Sequence, residues 1–195
     1  MSGSMATRLN VGCGNDIRED WVNIDGADLA GIDFTVDLDD CATTRLPLPD
    51  DHFEKMEMIH VLEHLRYPLP LMQELWRAAA PGARLFIKVP HAGHDDAWVD
   101  PTHVRALTPH TFTYFAQPKY VDMDYGYTGD WRVERCDLIV LRNVFNRIGR
   151  DRMPEAVIRD RNVVKEIAVT LIAEKPARPR LKELEEQLVY NIVPV

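Results

Sequence analysis

Histidine and aspartate crowd one short stretch of the chain: His91, His94, Asp95, Asp96, Asp100 and His103 all fall within residues 91–103. Imidazole is the side chain that changes charge near neutral pH, so it suits removal of a proton from an acceptor group. A carboxylate three residues away can orient such a ring. His91 and His103 are therefore the candidate catalytic bases, with Asp100 as the orienting partner. The same side chains also ligate divalent ions, but their spacing fits no strict ligand pattern, and the reading adopted contains no metal. A third reading is a hydrogen-bonded lid in which Asp and His cap turns. The aromatics that follow, Trp98, Phe112, Tyr114, Phe115, Tyr120, Tyr125 and Tyr127, either line an acceptor pocket or pack this segment down; packing is the expectation for most. Arg105 is either a partner for an anionic group or a surface arginine.

A second group lies near the start. Leu9-Asn10-Val11 runs into Gly12-Cys13-Gly14, and closely spaced glycines after a strand let a ligand approach bare backbone. Asp25 ends the next strand-like run, where an acid can accept both hydroxyls of a ribose. Asp37-Leu38 ends the third, where a carboxylate can meet an adenine amino group while leucine packs on the ring. Singly, each reads as a tight turn or a loop acid. In sequence, at three successive strand ends, they fall on the carboxyl edge of one parallel sheet, where open α/β sheets bind ligands.

The elements that must position these groups alternate between strand-like and helical segments, which predicts an α/β domain with a mainly parallel sheet. Strands are expected at 8–11, 21–24, 33–36, within 53–61, at 83–89 (a fully buried one), at 132–141 and at 167–173. Leu71, Met72, Leu75, Trp76 and Ala79 share one face at helical spacing, so a helix is expected over 70–80, stopped by Pro81-Gly82. Residues 91–131 read as an insertion with a short helix near 108–115. The charged stretch 142–166 reads as surface. Residues 1–7 read as a tag remnant and disordered start, 8–175 as the domain, and 176–195 as a linker followed by a helical tail over 181–190. That tail docks on its own domain or on a second copy of the chain.

The chain has 195 residues, 46% hydrophobic and 28% charged, which suits one soluble globular domain. Its formal net charge of −8 and the lack of a basic cluster argue against a nucleic-acid partner. Three cysteines without a paired spacing argue against a disulfide framework or zinc ribbon and suit a reducing cytoplasm. No run is long and apolar enough for a membrane span or an export signal.

Val11-Gly12-Cys13-Gly14, Asp25, Asp37-Leu38, Leu46-Pro47, the run Ile59-His60-Val61-Leu62-Glu63-His64-Leu65, and Ala80-Pro81-Gly82-Ala83-Arg84-Leu85 resemble the successive motifs of class I S-adenosylmethionine-dependent methyltransferases. The resemblance spans residues 8–90 and resumes over the last two strands. It implies a Rossmann-like, mostly parallel seven-stranded sheet with helices on both faces and an insertion after the fifth strand. It implies S-adenosylmethionine as cofactor and S-adenosylhomocysteine as product. Gly12, Cys13 and Gly14 would contact the amino-acid part, Asp25 the ribose, and Asp37 and Leu38 the adenine; His60 would sit beside the cofactor. The stretch Asp100-Pro101-Thr102-His103 followed by Thr111-Phe112 also resembles small bacterial methyltransferase-like proteins.

The sequence departs from that pattern in two ways. It begins almost directly at the first strand, without the N-terminal helices that often cover the substrate side, so recognition is expected from residues 91–131, the tail or another subunit. One spacing is also short. Only about ten residues separate Gly14 from Asp25, where a dinucleotide fold leaves about 20, so the first helix must be very short or missing. The resemblance implies a methyltransferase acting on oxygen or nitrogen of a small-molecule or saccharide-like acceptor. The alternatives are a cofactor-binding subunit without turnover, or an NAD-linked oxidoreductase, which the short spacing disfavours.

Overall fold

A computed structural model describes residues 5–123 and 125–195. Eight strands form one sheet: β1 (Arg8–Val11), β2 (Val22–Asp25), β3 (Phe34–Thr35), β4 (Phe53–Ile59), β5 (Ala79–Pro90), β6 (Trp131–Val140), β7 (Glu166–Ala173) and β8 (Asn191–Pro194). Their spatial order is β3-β2-β1-β4-β5-β7-β6-β8. β1 to β5 pair in parallel, and β7 runs antiparallel between β5 and β6. The class is the expected Rossmann-like α/β one, with one strand more than expected.

The pleat sorts the two faces. Leu9, Val11, Val22, Ile24, Met56, Met58, Leu85, Ile87, Val169 and Leu171 are buried on one face. There they meet the helix α1 (Pro68–Ala78) through Leu71, Met72 and Leu75. The paired positions on the opposite face are Asn10, Asn23, Glu57, Phe86 and Thr170. This face lacks the helix that usually joins the first two strands, which corrects the fully buried reading of the fifth strand. Only alternate residues of β5 are fully buried, while Arg84, Phe86 and Lys88 are not.

What replaces that first helix is a polar clasp. The Asn10 side-chain amide donates to the Asp16 carbonyl and to Asn23 Oδ1. Asn23 Oδ1 also accepts from the Arg18 N–H, and its amide donates to the carbonyls of Arg18 and Trp21. The Arg18 guanidinium then bridges to Glu57 at 2.5 Å and lies 5.0 Å from the centre of the Trp21 ring. A short connection thereby satisfies the buried polar groups that a helix would otherwise cover.

Several expectations need correction. The stretch 142–166 is not simply surface: it forms α2 (Arg142–Ile148) and α3 (Met153–Arg159), and Met153, Ala156, Val157, Val163 and Val164 are buried. The tail is not helical over 181–190. It makes one 3₁₀ turn at Lys182–Leu184 and ends as β8, parallel to β6, with Asn191 opposite Asp137. The expected disordered start is in part tied down, since the Thr7 carbonyl accepts from the Glu54 N–H and Ala6 packs on the core. Residues 1–4 of that start lie outside the described residues.

The insertion runs from the carboxyl edge along the sheet to the start of β6. Phe112, Phe115, Tyr120 and Tyr127 are buried in it, as expected of packing residues, whereas Trp98, Tyr114 and Tyr125 are exposed. Asp130, fully buried, accepts from the Gln117 N–H, the Arg178 N–H and the Arg178 guanidinium. One carboxylate thus pins both the insertion and the tail. The tail docks on its own domain.

Candidate functional site

Gly12, Asp25, Asp37, His60 and His91 each follow or end a parallel strand, so all five lie along one edge of the sheet. Gly12 takes φ +64°, and a Cβ there would come within 2.3 Å of Val61 Cγ2. The packing of Val61 alone already requires a glycine at that position. Gly14 differs: at φ +50°, a Cβ would meet nothing within 4 Å, so open space lies beside its backbone. Cys13 is buried, and burial together with the nearby Asp25 carboxylate raises its thiol pKa.

Asp25 shapes this turn. Its Oδ2 accepts from the Gly14 N–H at 2.8 Å and its Oδ1 from the Ala27 N–H at 2.9 Å. Each oxygen keeps a further lone pair for a ligand hydroxyl. Asp37 is exposed and accepts from the Asp39 N–H. Leu38 turns into the core with 7% of its surface exposed, which leaves little side chain to meet an adenine ring. Open space at Gly14, a half-buried acid with spare lone pairs and an exposed acid further along the edge fit a nucleoside carrying an amino-acid tail.

His60 is the hub of the edge. Its backbone is left-handed at φ +55°, a conformation costing about 1–2 kcal/mol for a residue with a Cβ. Its N–H donates to the Lys88 carbonyl. The ring lies between two carboxylates, with Nε2 3.0 Å from Glu166 and Nδ1 3.2 Å from Glu63. Hydrogen bonds to Glu166 and Glu63 outweigh the opposing effect of burial and raise its pKa to about 9, so the ring is an imidazolium at neutral pH. Burial alone would raise the Glu166 pKa; hydrogen bonds from His60 and Lys88 overcome it and hold the carboxylate at about 2.

The insertion holds the remaining residues. His91 Nδ1 accepts from the Gly93 N–H, and burial lowers its pKa, so the ring is neutral with its hydrogen on Nε2. That tautomer is a donor at Nε2, which disfavours His91 as a base. His94 accepts from the Asp96 N–H, and Asp95 is bound by Arg161 and Asn162, so these groups cap turns. His103 has 9% of its side chain exposed and lies 3.9 Å from Asp100 through Nε2. Its ring meets that of His64 edge-on at 4.7 Å. Asp100 is occupied by Thr102, accepting from both its N–H and its hydroxyl. Arg105 is not free for an anionic group: its guanidinium donates to the carbonyls of Leu65 and Arg66 and clamps that loop.

Sequence reasoning missed Glu166 and left Glu63 undecided. Glu166 is far along the chain and reaches His60 only because β7 is inverted, which puts the strand's first residue, paired with Pro90, at the functional edge. No local signal marks it. Glu63 could have been suspected, since an acid in the apolar run Val61-Leu62-Glu63 is buried there with 2% exposure. A cavity of about 240 Å³ lies elsewhere, between tail residues 184–189 and Thr113, Lys119 and Arg132. It lies toward the other end of β6, away from this edge.

A sheet ordered 3-2-1-4-5-7-6-8, with a glycine turn and two acids along the carboxyl edge of its parallel half, is a Rossmann-like arrangement. Residues 4–119 match the family described as a methyltransferase domain, and the chain belongs to that family. A comparison with curated proteins finds no match. Among solved structures, the chain is similar to a SAM-dependent methyltransferase from Archaeoglobus fulgidus, at 15% identity over 85% of each chain with a TM-score of 0.58. It is also similar to an S-adenosylmethionine-dependent methyltransferase from Mesorhizobium loti, at 15% identity, 85% and 90% coverage and a TM-score of 0.52. A SAM-dependent methyltransferase from Aquifex aeolicus gives 17% identity, 85% and 81% coverage and 0.51. At these identities the likeness is one of fold.

Proposed function

We propose that the protein transfers a methyl group from S-adenosylmethionine to an oxygen or nitrogen of a small-molecule or saccharide-like acceptor. The observation that carries this reading is the open backbone at Gly14 beside the Asp25 carboxylate, on the carboxyl edge of a methyltransferase-family sheet. Bound there, the cofactor would supply an electrophilic methyl group on a sulfonium. The backbone at Gly12, Cys13 and Gly14 would face its amino-acid part, Asp25 the ribose and Asp37 the adenine, while the His60 imidazolium would face its polar side. Leu38, being buried, would contribute mainly through its backbone.

The acceptor side falls to the insertion. Within it His103 keeps a bare ring nitrogen, able to accept a hydrogen bond from an acceptor, with Asp100 beside it. His91 forms part of the wall as a donor. A net charge of −8 favours a neutral or cationic acceptor over a polyanion. Free thiols at Cys13, Cys41 and Cys136, and the lack of any described helix long and apolar enough to cross a membrane, support a cytoplasmic location.

The test is calorimetric titration of the purified protein with S-adenosylhomocysteine. Micromolar binding is expected, abolished in Asp25→Ala and weakened in Asp25→Asn. No binding to the folded parent protein would overturn the reading.

A further inference from the structure

We propose that Glu63, His64 and His103 bind a divalent transition-metal ion of the zinc(II) type. Among the described residues these three form the one group whose ligand atoms, a carboxylate oxygen and two ring nitrogens, all lie within 4.8 Å of one another. Zinc bonds of about 2.0–2.2 Å would draw those atoms to about 3.3 Å apart, a contraction that side-chain rotation can supply.

The independent observation is Glu63 Oε2. The side chain is 2% exposed, and this oxygen is the single buried side-chain oxygen or nitrogen without a hydrogen-bond partner among the described residues. A buried bare carboxylate oxygen calls for a cation.

Both rings are set in the tautomer that a metal requires. His103 Nδ1 is 3.2 Å from the Ala97 carbonyl oxygen. A carbonyl can only accept, so Nδ1 carries the hydrogen and Nε2 is bare. Thr102 spends its hydroxyl hydrogen on Asp100 Oδ1 at 2.6 Å, so at 2.9 Å it accepts from His64 Nδ1, and Nε2 of that ring is bare as well. Glu63 Oε1 is oriented by His60 Nδ1. Each of the three side chains therefore has the outer partner that metal ligands characteristically have. The ring pair and the carboxylate come from two chain segments, 63–64 and 103, joined where the Val104 N–H donates to the Glu63 carbonyl.

Two histidines and one carboxylate make a three-ligand set that leaves a coordination position open. The His103 side chain is nearly buried, but His64 is only half-buried, so that position is reachable from solvent on the His64 side. An ion there would hold an acceptor by its oxygen, in place of the direct hydrogen bond to His103. That consequence rests on the methyl-transfer reading; the ion site itself does not.

The test uses the whole chain, stripped with a chelator, dialysed, and titrated with Co²⁺ and then Zn²⁺, without cofactor. One saturable equivalent is expected, seen as visible cobalt absorption that zinc abolishes. His103→Ala and Glu63→Gln should each weaken binding at least about tenfold, while His94→Ala, at a capped turn outside the set, should not. If Glu63→Gln fails to fold, His64→Ala takes its place. A folded parent protein with no saturable binding, or binding unchanged in the ligand variants, overturns the proposal. Homocysteine-cofactor binding is measured separately, so loss of one site does not report on the other.

Discussion

Asp130→Ala tests how the insertion and the tail are held. Asp130 is fully buried and accepts four hydrogen bonds, three of them from Arg178, whose side chain is 20% exposed. Removing one partner of a buried ion pair typically costs about 3–5 kcal/mol, because the other charge is left buried and unpaired. Arg178 retains some solvent contact and a second partner in Glu186 at 3.0 Å, so the low end, about 3 kcal/mol, is expected. For a domain of this size each kcal/mol moves the melting temperature by about 2–4 °C, giving a fall of about 6–12 °C. Asp130→Asn keeps the shape and part of the hydrogen bonding and should fall by less. Calorimetric or spectroscopic melting reads the shift, and limited proteolysis reads the tail, which should be cleaved after residue 175 in the variant first. A shift below about 2 °C with the tail still protected would refute the view that this carboxylate pins both segments.

Gly12→Ala should cost about 3 kcal/mol, combining overpacking against Val61 with left-handed backbone strain, and Val61→Ala should restore part of it in a double-mutant cycle read by urea unfolding. Gly14→Ala meets no atom and should cost only about 1 kcal/mol, yet weaken S-adenosylhomocysteine binding at least about tenfold; unchanged affinity would remove Gly14 from the site. Burial pushes the Cys41 and Cys136 thiols up to about 12, so both should resist alkylation at pH 8 in the folded protein and react promptly once it is unfolded; rapid labelling of native Cys41 would contradict this. Glu166, held at about 2, contributes stability that is complete above about 4.5 and is lost as pH falls toward 2. Glu166→Gln should therefore lie on the order of 2 kcal/mol below the parent at pH 7, and the gap should narrow as the pH falls from about 4.5 toward 2; a gap that widens with acid would refute the assignment.

The parallel half of the sheet was legible because its signals are local. Apolar runs end at Gly12, Asp25 and Pro90, and the leucines of α1 repeat at helical spacing. The tail was misread for a physical reason. Residues 181–190 have the apolar spacing of an amphipathic helix, but hydrogen bonds offered by the open edge of β6 win over that weak local preference, and the chain pairs there at 191–194 instead. The cofactor-side residues were visible as types at strand ends, but the burial of the Leu38 side chain and the packing of Val61 against Gly12 were not. The His60–Glu166 contact could not be read from the sequence, since it exists only through the inverted placement of β7. Equally hidden was the proton placement on His64 and His103, which is set by the hydrogen bonds their Nδ1 atoms donate to the Thr102 hydroxyl oxygen and the Ala97 carbonyl.

Strand order has a consequence for how the chain is made. β6 emerges during synthesis before β7, yet in the finished sheet β7 is its link to β5. Until residue 173 is available, the free edge of β5 has no neighbour, β6 has no place to dock, and His60 lacks one of its two acids. Chains grow from the N-terminus, and unpaired strand edges are prone to wrong association. A ribosome that stalls between 141 and 166 would hold a nascent chain with an open β5 edge and an incomplete site. The last long strand to be made is the one that lies between two made before it.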